Sequence, residues 1–589
     1  MENRPRGIKH INLAPLEPRN YERYLPTAFN DSLTIVQKVN KVIMYLHEYS
    51  RLTDDMLLKW NEVYRWIMNE GLDEAIYDRL NEWYRDGRFQ EILERLLLNE
   101  YARKDWVENE LKEYDEKLSE FEDELNEKLD SFQELISDLL ENTLTRKELE
   151  LTVGSNGDYS TITGAIESII KMAIYPTKAT IKLLNDYVMK EQVIIENIDL
   201  SFVTIESNVT IPVEVNTSIL SSVKDTEDYP IIWGINSHMP TLDVLFSFSL
   251  PKNSSNKWIT GLYLYNSRMF MKPNSGFTKF PYNGAMVSFN SSLIANKCYF
   301  DDSGNRQELT SPDDAEKNGH GSGIKVRRSN LVANESHANR CGNTGYWIQK
   351  SSNAEINLVT ANDCGHHTLV TSQGSVCTAR NSQLSRAMDN NVVSDSVSVL
   401  DISGSTCRDS GNTSIVAQNN STMYFKNGIC SGGDIGANVT TNSDFFGDGA
   451  NISNNRRIGV AVQKGSRASL RSAIINSNGE DGIRGLTGGI ITANIANLNN
   501  NGRNGIRCDS SKANIAHAVV KNNDIDIVAL RGANISCEGV EVSSTGQTII
   551  CNSSSIIQGN NIKGSAKANV SMQTISGNGM ILSNNVTKV

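Results

Sequence analysis

At about 150 residues per domain, 589 residues leave room for roughly four domains, and a net charge of −12 gives non-specific nucleic-acid binding no electrostatic support. No run approaches the roughly 18–20 apolar residues that span a bilayer, so membrane insertion is not expected, and the start Met1-Glu-Asn-Arg-Pro-Arg lacks the apolar core of a secretory signal. The nine cysteines, all at or beyond Cys298 and without a C-x-x-C pair, argue against a disulfide framework or a thiolate zinc site and suit assembly in a reducing cytosol.

Residues 1–150 hold 21 basic against 34 acidic side chains, whereas the rest of the chain holds 36 against 35. Only Gly7, Gly71 and Gly87 of the 42 glycines fall in that first quarter. Two regions of different architecture are therefore expected. Leu13-Ala-Pro-Leu-Glu-Pro reads as an extended arm, because proline moves its preceding residue out of helical geometry. Asn30 and Asp31 suit the N-cap of a helix carrying Leu33, Val36, Val39, Ile43 and Leu46, and further helices are expected near 53–69, 72–85 and 88–99. Residues 1–100 thus read as a helical docking module with an N-terminal arm.

A stem over 101–148 follows. Val107, Leu111, Tyr114, Leu118, Phe121 and Leu125 are spaced 4, 3, 4, 3, 4, and Leu129, Phe132, Ile136 and Leu139 continue the seam after a stutter at Leu125–Leu129. A single amphipathic helix packed on its own domain would share this pattern. A coiled coil is preferred because the seam persists with charged flanks, and the bulky Phe and Tyr in it favour three chains over a tight dimer.

Beyond residue 148, short strand-like runs alternate with Asn, Ser and Gly turns. A 23-residue shift aligns Leu331, Ala354, Cys377, Leu400 and Met423 in one column. It also aligns Ala333, Ile356, Ala379, Ile402 and Phe425, and then Ala338, Ala361, Leu384, Cys407 and Cys430. After a slip near 445, Gly459, Gly482 and Gly505 resume the step. The leucine framework of leucine-rich repeats is missing. The period predicts a mainly β fold, a parallel β-helix over 149–555 with about 23 residues per coil and roughly twelve coils between 284 and 555. Residues 556–589 would form its C-terminal end or a cap. Arg340, Asp363, Arg386 and Asp409 also lie 23 apart and alternate in sign, as an exposed charge ladder would.

The stretch Thr152-Val-Gly-Ser-Asn-Gly-Asp-Tyr-Ser-Thr-Ile-Thr-Gly-Ala-Ile-Glu, then Ala179-Thr-Ile-Lys-Leu and Val193-Ile-Ile, resembles the opening of pectin-lyase-like β-helix proteins. That resemblance implies a right-handed β-helix with a capping helix near 160–172. Tyr21-Glu-Arg-Tyr-Leu-Pro-Thr-Ala-Phe-Asn-Asp-Ser-Leu, with Lys59-Trp-Asn-Glu-Val and Trp66, followed by a coiled coil and a β-helix, is similar to appendage and tail-fibre proteins of short-tailed phages of Gram-positive bacteria. This second resemblance implies a homotrimeric virion appendage, assembled in the bacterial host cytoplasm. Its N-terminal module would dock on phage neck or tail proteins, and its β-helix would adsorb to a cell-wall glycopolymer such as teichoic acid. Some relatives carry a long C-terminal maturation domain, which this chain is expected to lack or to have lost.

Chemistry has two candidate places. Gly284-Ala-Met-Val and Gly323-Ile-Lys-Val read as successive coil starts, yet their separation exceeds one repeat by more than half, so extra chain is inserted between them. That insertion carries Asp301, Asp302, Asp313, Asp314 and His320. Paired carboxylates there could act as acid and base on a glycosidic bond, or bind a divalent cation such as calcium, or form a plain solvated loop. Trp347, His366 and His367 form a second candidate, for sugar stacking and polymer binding. No transition-metal spacing is visible and no other cofactor is expected. Two functions follow: a binding spike, or the same spike acting as a hydrolase or lyase on teichoic acid or exopolysaccharide.

Overall fold

The computed structural model describes residues 128–131, 133 and 148–588, apart from 173–174, 225–227, 252–255, 305–310, 314–320, 544–546, 553, 565–579 and 583–585. The helical module expected over 1–100 lies outside the described residues. Of the stem expected over 101–148, residues 128–131 and 133 are helical. The β structure belongs to a unit running Thr143–Val589. No helix among the described residues is long and apolar enough to cross a membrane.

The first strand, Leu149–Val153, pairs in parallel with Ala179–Leu183, and helix α1 (Ile162–Ile170) lies between them in the chain. The Thr161 hydroxyl caps α1 by accepting from the Gly164 N–H at 3.0 Å. The Glu191 carboxylate accepts from the Ile162 and Thr163 N–H groups at 2.6 and 3.1 Å, placing negative charge at the positive end of the helix. The face carrying Ile162, Ala165, Ile166 and Ile169 is buried, so α1 covers the apolar start of the stack as expected for 160–172.

From there the chain winds into three parallel faces. The long face holds fifteen strands, from Val193–Glu196 to Gln547–Cys551, and the second face fourteen, from Arg268–Phe270 to Met580–Leu582. The third is broken into sheets of three, five and four strands, joined by single bridges such as Tyr299–His337 and His337–Thr360. At about 4.8 Å per coil the long face extends on the order of 65–70 Å. Twelve of its strands lie between Ala285 and Cys551, matching the coil number expected for that span.

The three apolar columns read from the repeat all point inward. Leu331, Ala354, Cys377, Leu400 and Met423 pair in successive register. The slip near 445 is one coil shortened by a single residue, which places Phe445 on Met423 without breaking the sheet. All nine cysteines are buried thiols in this core, where burial pushes Cys377, Cys430 and Cys508 up to about 12, so they act as small apolar fillers. Ten buried serines from Ser237 to Ser466 form a second ladder, in which the N–H of one coil donates to the hydroxyl of the next at 3.1–3.4 Å. Asn455, Asn478, Asn501 and Asn523 stack likewise through their amides at 3.0–3.1 Å.

The coils from Val193 to Ile324 are irregular. Along the centre of the long face, Ile194 pairs with Trp233, Trp233 with Tyr263, Tyr263 with Met286 and Met286 with Lys325, so of these four coils only the third keeps the repeat. The aromatics of this stretch divide: Phe246 and Phe277 stack at 5.6 Å in the core beside Phe280, whereas Tyr265, Phe270 and Phe289 are exposed.

Corners use left-handed backbone. One corner column runs through Leu358, Asn381, Asn427 and Ile495, with φ of 55–59°. Asparagine tolerates this conformation, but a β-branched residue does so at a cost of about 1–2 kcal/mol. Ile495 is 57% exposed and therefore recovers little by packing. Ile495→Asn should raise the thermal midpoint, by about 1 kcal/mol of stability. Leu400→Asp, in contrast, buries an unpaired charge at a fully enclosed position and should cost several kcal/mol, on the order of a lost core side chain or more. Thermal or denaturant unfolding of the two variants checks both signs.

Candidate functional site

The register fixes which surface groups meet. In strand Ala285–Ser288 and its successors, inward and outward residues alternate. The outward centre of the long face therefore reads Trp233, Tyr263, Met286, Lys325, Trp347, Val370, Val393 and Val416. It begins aromatic, passes through a cation and a second indole, and continues as a strip of valines that pack with Trp347. Val223 folds over the Tyr263–Met286 end. The Lys325 ammonium stands 4.1 Å from the Trp347 ring centroid, and Lys325 is 7% exposed. Burial foremost, with the cations Arg327 and Lys350 nearby, pushes this lysine down to about 7.

One coil beyond Trp347, His366 and His367 open the next strand of the face. Their rings stack at 3.8 Å between centroids. His366 Nε2 is 3.4 Å from Asp389 Oδ2, and His367 Nδ1 is 3.9 Å from the same oxygen. The Asn390 carbonyl lies 3.1 Å from His367 Nδ1, and a carbonyl can only accept, so Nδ1 carries the proton and Nε2 the lone pair in the neutral ring. Burial opposes ionisation of Asp389, but hydrogen bonds from His366 and Asn412 hold its carboxyl below the usual range. Among the described residues these three are the group close enough to share a metal ion, with ligand atoms within 4.8 Å of one another. The arrangement also suits proton transfer, because His366 is part-exposed and faces a carboxylate.

The inserted loop is rooted two coils before His366, since the Asn343 N–H donates to the Gly321 carbonyl and the His366 N–H to the Asn343 carbonyl, each at 2.8 Å. Ala285 pairs with Ile324, and the extra chain between them leaves and rejoins the coil at Gly304 and Gly321. Its root is tight: a Cβ on Gly342 would run into the Gly304 carbonyl oxygen. Asp301 and Asp302 sit on the coil before the loop. Asp301 accepts from the Asn339 backbone and side-chain N–H groups at 2.6 and 3.0 Å, and burial moves its carboxyl upward. Asp302 forms a two-point ion pair with Arg340 at 2.7 and 2.8 Å. It thereby extends the charge ladder, whose next pair is Arg386 with Asp363 at 2.8 and 2.9 Å. Asp313 lies in the loop itself, and Asp314 and His320 lie outside the described residues.

The sequence reading named Trp347, His366 and His367 as candidates; the register sets Asp389 beside the histidines and Lys325 beside Trp347, with Arg327 two residues on, and it named none of these three. Asp389 stands one repeat after His366, and Lys325 nearly one repeat before Trp347. The repeat applied to polar residues, rather than to apolar ones alone, would have found them.

Residues 250–398 match the family described as right handed beta helix region. The solenoid is a right-handed parallel β-helix. A segment of 73 residues is 47% identical to the pre-neck appendage protein of Bacillus phage B103, covering 12% of this chain and 8% of that protein. A 93-residue match to the pre-neck appendage protein of Bacillus phage phi29 is 38% identical and covers 16% and 11%. The chain thus matches about a tenth of the length of these relatives. Among solved structures it is similar to the periplasmic alginate epimerase AlgG (TM-score 0.36, 13% identity, 63% of this chain and 80% of that one). It is also similar to tailspike protein 3 of bacteriophage CBA120 (TM-score 0.24, 10% identity, 70% and 57%). Phage relatives and a β-helix in one chain fit a phage neck appendage.

The histidine pair makes stability depend on pH. Burial, with the neighbouring His366, pushes His367 down to about 4, whereas an unfolded histidine titrates near about 6.5. Between about pH 6.5 and 4 the unfolded β-helix binds a proton that the folded one refuses, so stability falls as pH falls through that window. The loss is on the order of 1–3 kcal/mol. In His367→Gln this component of the acid sensitivity should disappear, as read from thermal midpoints measured on either side of about pH 6.

Proposed function

We propose that this chain is a virion appendage that adsorbs a phage to its host, with the β-helix binding a cell-wall glycopolymer such as teichoic acid. One observation carries the reading: an indole, Trp347, sits at the centre of the outward long face with a cation 4.1 Å over its ring. An indole face stacks on a sugar or polyol, and a neighbouring cation favours a polymer that bears negative charge. The phage relatives supply the context, and residues 1–100 are the part assigned to docking on neck or tail proteins. Residues 101–148 are assigned to trimerisation.

Purified protein should sediment with Gram-positive cell walls, and Trp347→Ala should weaken that binding about tenfold, read below both thermal midpoints because the loss of packing on Val370, Val393 and Val416 should lower that of the variant. Equal binding by the variant would remove Trp347 from the reading. A chain that sedimented as a monomer in analytical ultracentrifugation would remove the trimer. Truncation of residues 1–100 should leave wall binding intact while abolishing incorporation into virions.

A second reading, cleavage of the polymer, draws on the 3.4 Å contact between His366 Nε2 and Asp389. It pairs a proton carrier with a carboxylate one coil beyond Trp347. If the appendage cleaves, release of phosphate or reducing ends from wall polymer should be lost in His366→Ala. Binding for hours without release would exclude this reading. Calcium binding by the inserted loop predicts that a chelator weakens wall binding and that replacing Asp313 and Asp314 by Ala does the same.

A further inference from the structure

Four outward side chains around Trp347 are all hydrogen-bond donors. Lys325 pairs in register with Trp347, and Arg327 with Gln349, on adjacent strands of the long face. Strand geometry sets these four at the corners of a rectangle of about 4.8 by 6.6 Å. Their inward neighbours Ile324, Val326, Tyr346 and Ile348 are in the core, so the four side chains project together on the opposite side.

The donors in this rectangle are left over. Arg327 Nε, Trp347 Nε1 and Gln349 Nε2 are each buried without a hydrogen-bond partner. Gln349 is 4% exposed and Lys325 7%. Among the described residues no carboxylate stands within ion-pair distance of the Lys325 ammonium, which is met instead by the Trp347 ring. The carboxylate that acts on it, Asp228, is itself buried and accepts from Thr260 Oγ1 at 3.0 Å and Asn283 Nδ2 at 3.3 Å. Burying a donor without an acceptor is costly, and burying a cation without a counter-charge more so. Trp233 Nε1 and Arg507 Nε are buried without a partner as well, but in this rectangle three such donors and a buried ammonium stand together, whereas the half-exposed Arg340 and Arg386 each have a two-point carboxylate partner. Nearby, Arg327 and Lys350 add to the positive field and Asp228 alone subtracts from it.

We propose that Lys325, Arg327, Trp347 and Gln349 form a subsite for an oxyanion carried on a sugar or polyol polymer, either a phosphodiester or a carboxylate. The bound oxyanion accepts from the ammonium, the guanidinium, the indole N–H and the amide N–H at once. The flanking valine strip, Val370, Val393 and Val416, then lies under the carbon skeleton of the next units. This subsite rests on the reading that the β-helix binds a surface polymer, and it adds the part of the polymer that is recognised.

The test uses the full-length chain and three immobilised probes: poly(glycerol phosphate), polygalacturonate and neutral dextran. The variants are Lys325→Met, Gln349→Leu and the pair combined. Each keeps the apolar stem and removes the donor, so thermal midpoints should hold or rise. Wild-type protein should bind one of the two anionic probes and not dextran, which also tells phosphodiester from carboxylate. Lys325→Met should lose at least tenfold in affinity, and the double variant more. Wild-type affinity should also fall as pH rises past about 7, where Lys325 loses its proton, and Lys325→Met should lack that dependence. Anionic-probe binding that is equal in wild type and the stably folded double variant would overturn the subsite and leave the polymer reading standing. Failure of the wild type to bind cell walls and all three probes would overturn both. Preference for dextran would overturn the subsite alone.

Discussion

Everything in the β-helix depends on hydrogen bonds that run between coils. A strand such as Asn353–Glu355 has no partner within its own coil; its backbone is satisfied by Asn330–Val332 of the coil before and Val376–Thr378 of the coil after. An unpaired buried backbone group is costly, so the strands on each face must align with those of the coils before and after. Register is thereby fixed along the whole stack, and a residue's surroundings are set by what stands one repeat away along the chain. The serine ladder and the asparagine stack obey the same constraint, because a polar side chain is buried at low cost when an identical one above and below completes its bonding.

That constraint also explains how the surface becomes functional. A departure from the repeat cannot be absorbed in the core, where Leu400 and its column neighbours are almost fully enclosed. Extra chain is therefore inserted at a corner, as between Gly304 and Gly321. Outward columns, in contrast, are free to vary in chemistry while keeping their geometry. The centre of the long face passes from aromatic to cationic to aliphatic over a few coils, and each change is presented at the regular spacing of the strands. Ionisable groups partner along columns too: Asp302 with Arg340, Asp363 with Arg386, His366 with Asp389. Exposed pairs of this kind contribute only about 0–1 kcal/mol each, so their main effect is to keep like charges from stacking.

How much of this was legible in the sequence varies with the kind of residue. The columns through Leu331, Ala333 and Ala338 could be read directly, because burial selects apolar residues at each repeat and the alternation marks the face. The slip near 445 could be located but not interpreted, since only the sheet shows that a coil one residue short keeps Met423 on Phe445. The early coils resisted the grid because the steps from Ile194 to Trp233, Trp233 to Tyr263 and Tyr263 to Met286 all differ in length, and no column forms without a constant period. Asp301 and Asp302 looked like part of the acidic insertion by adjacency alone. In space they belong to the coil, where Asn339 and Arg340 engage them.

The sequence by itself determined the solenoid: a constant repeat with small inward residues and Asn, Ser and Gly corners admits stacked parallel strands and little else. It also offered Trp347 and the paired histidines as candidates. What only the tertiary structure decided is which of these groups meet. Lys325 meets Trp347, and Asp389 meets His366, because successive coils lie about 4.8 Å apart. Whether a polar atom is satisfied was likewise decided there, since Arg327, Trp347 and Gln349 are ordinary donors in the sequence and become unpartnered ones only when the long face buries them.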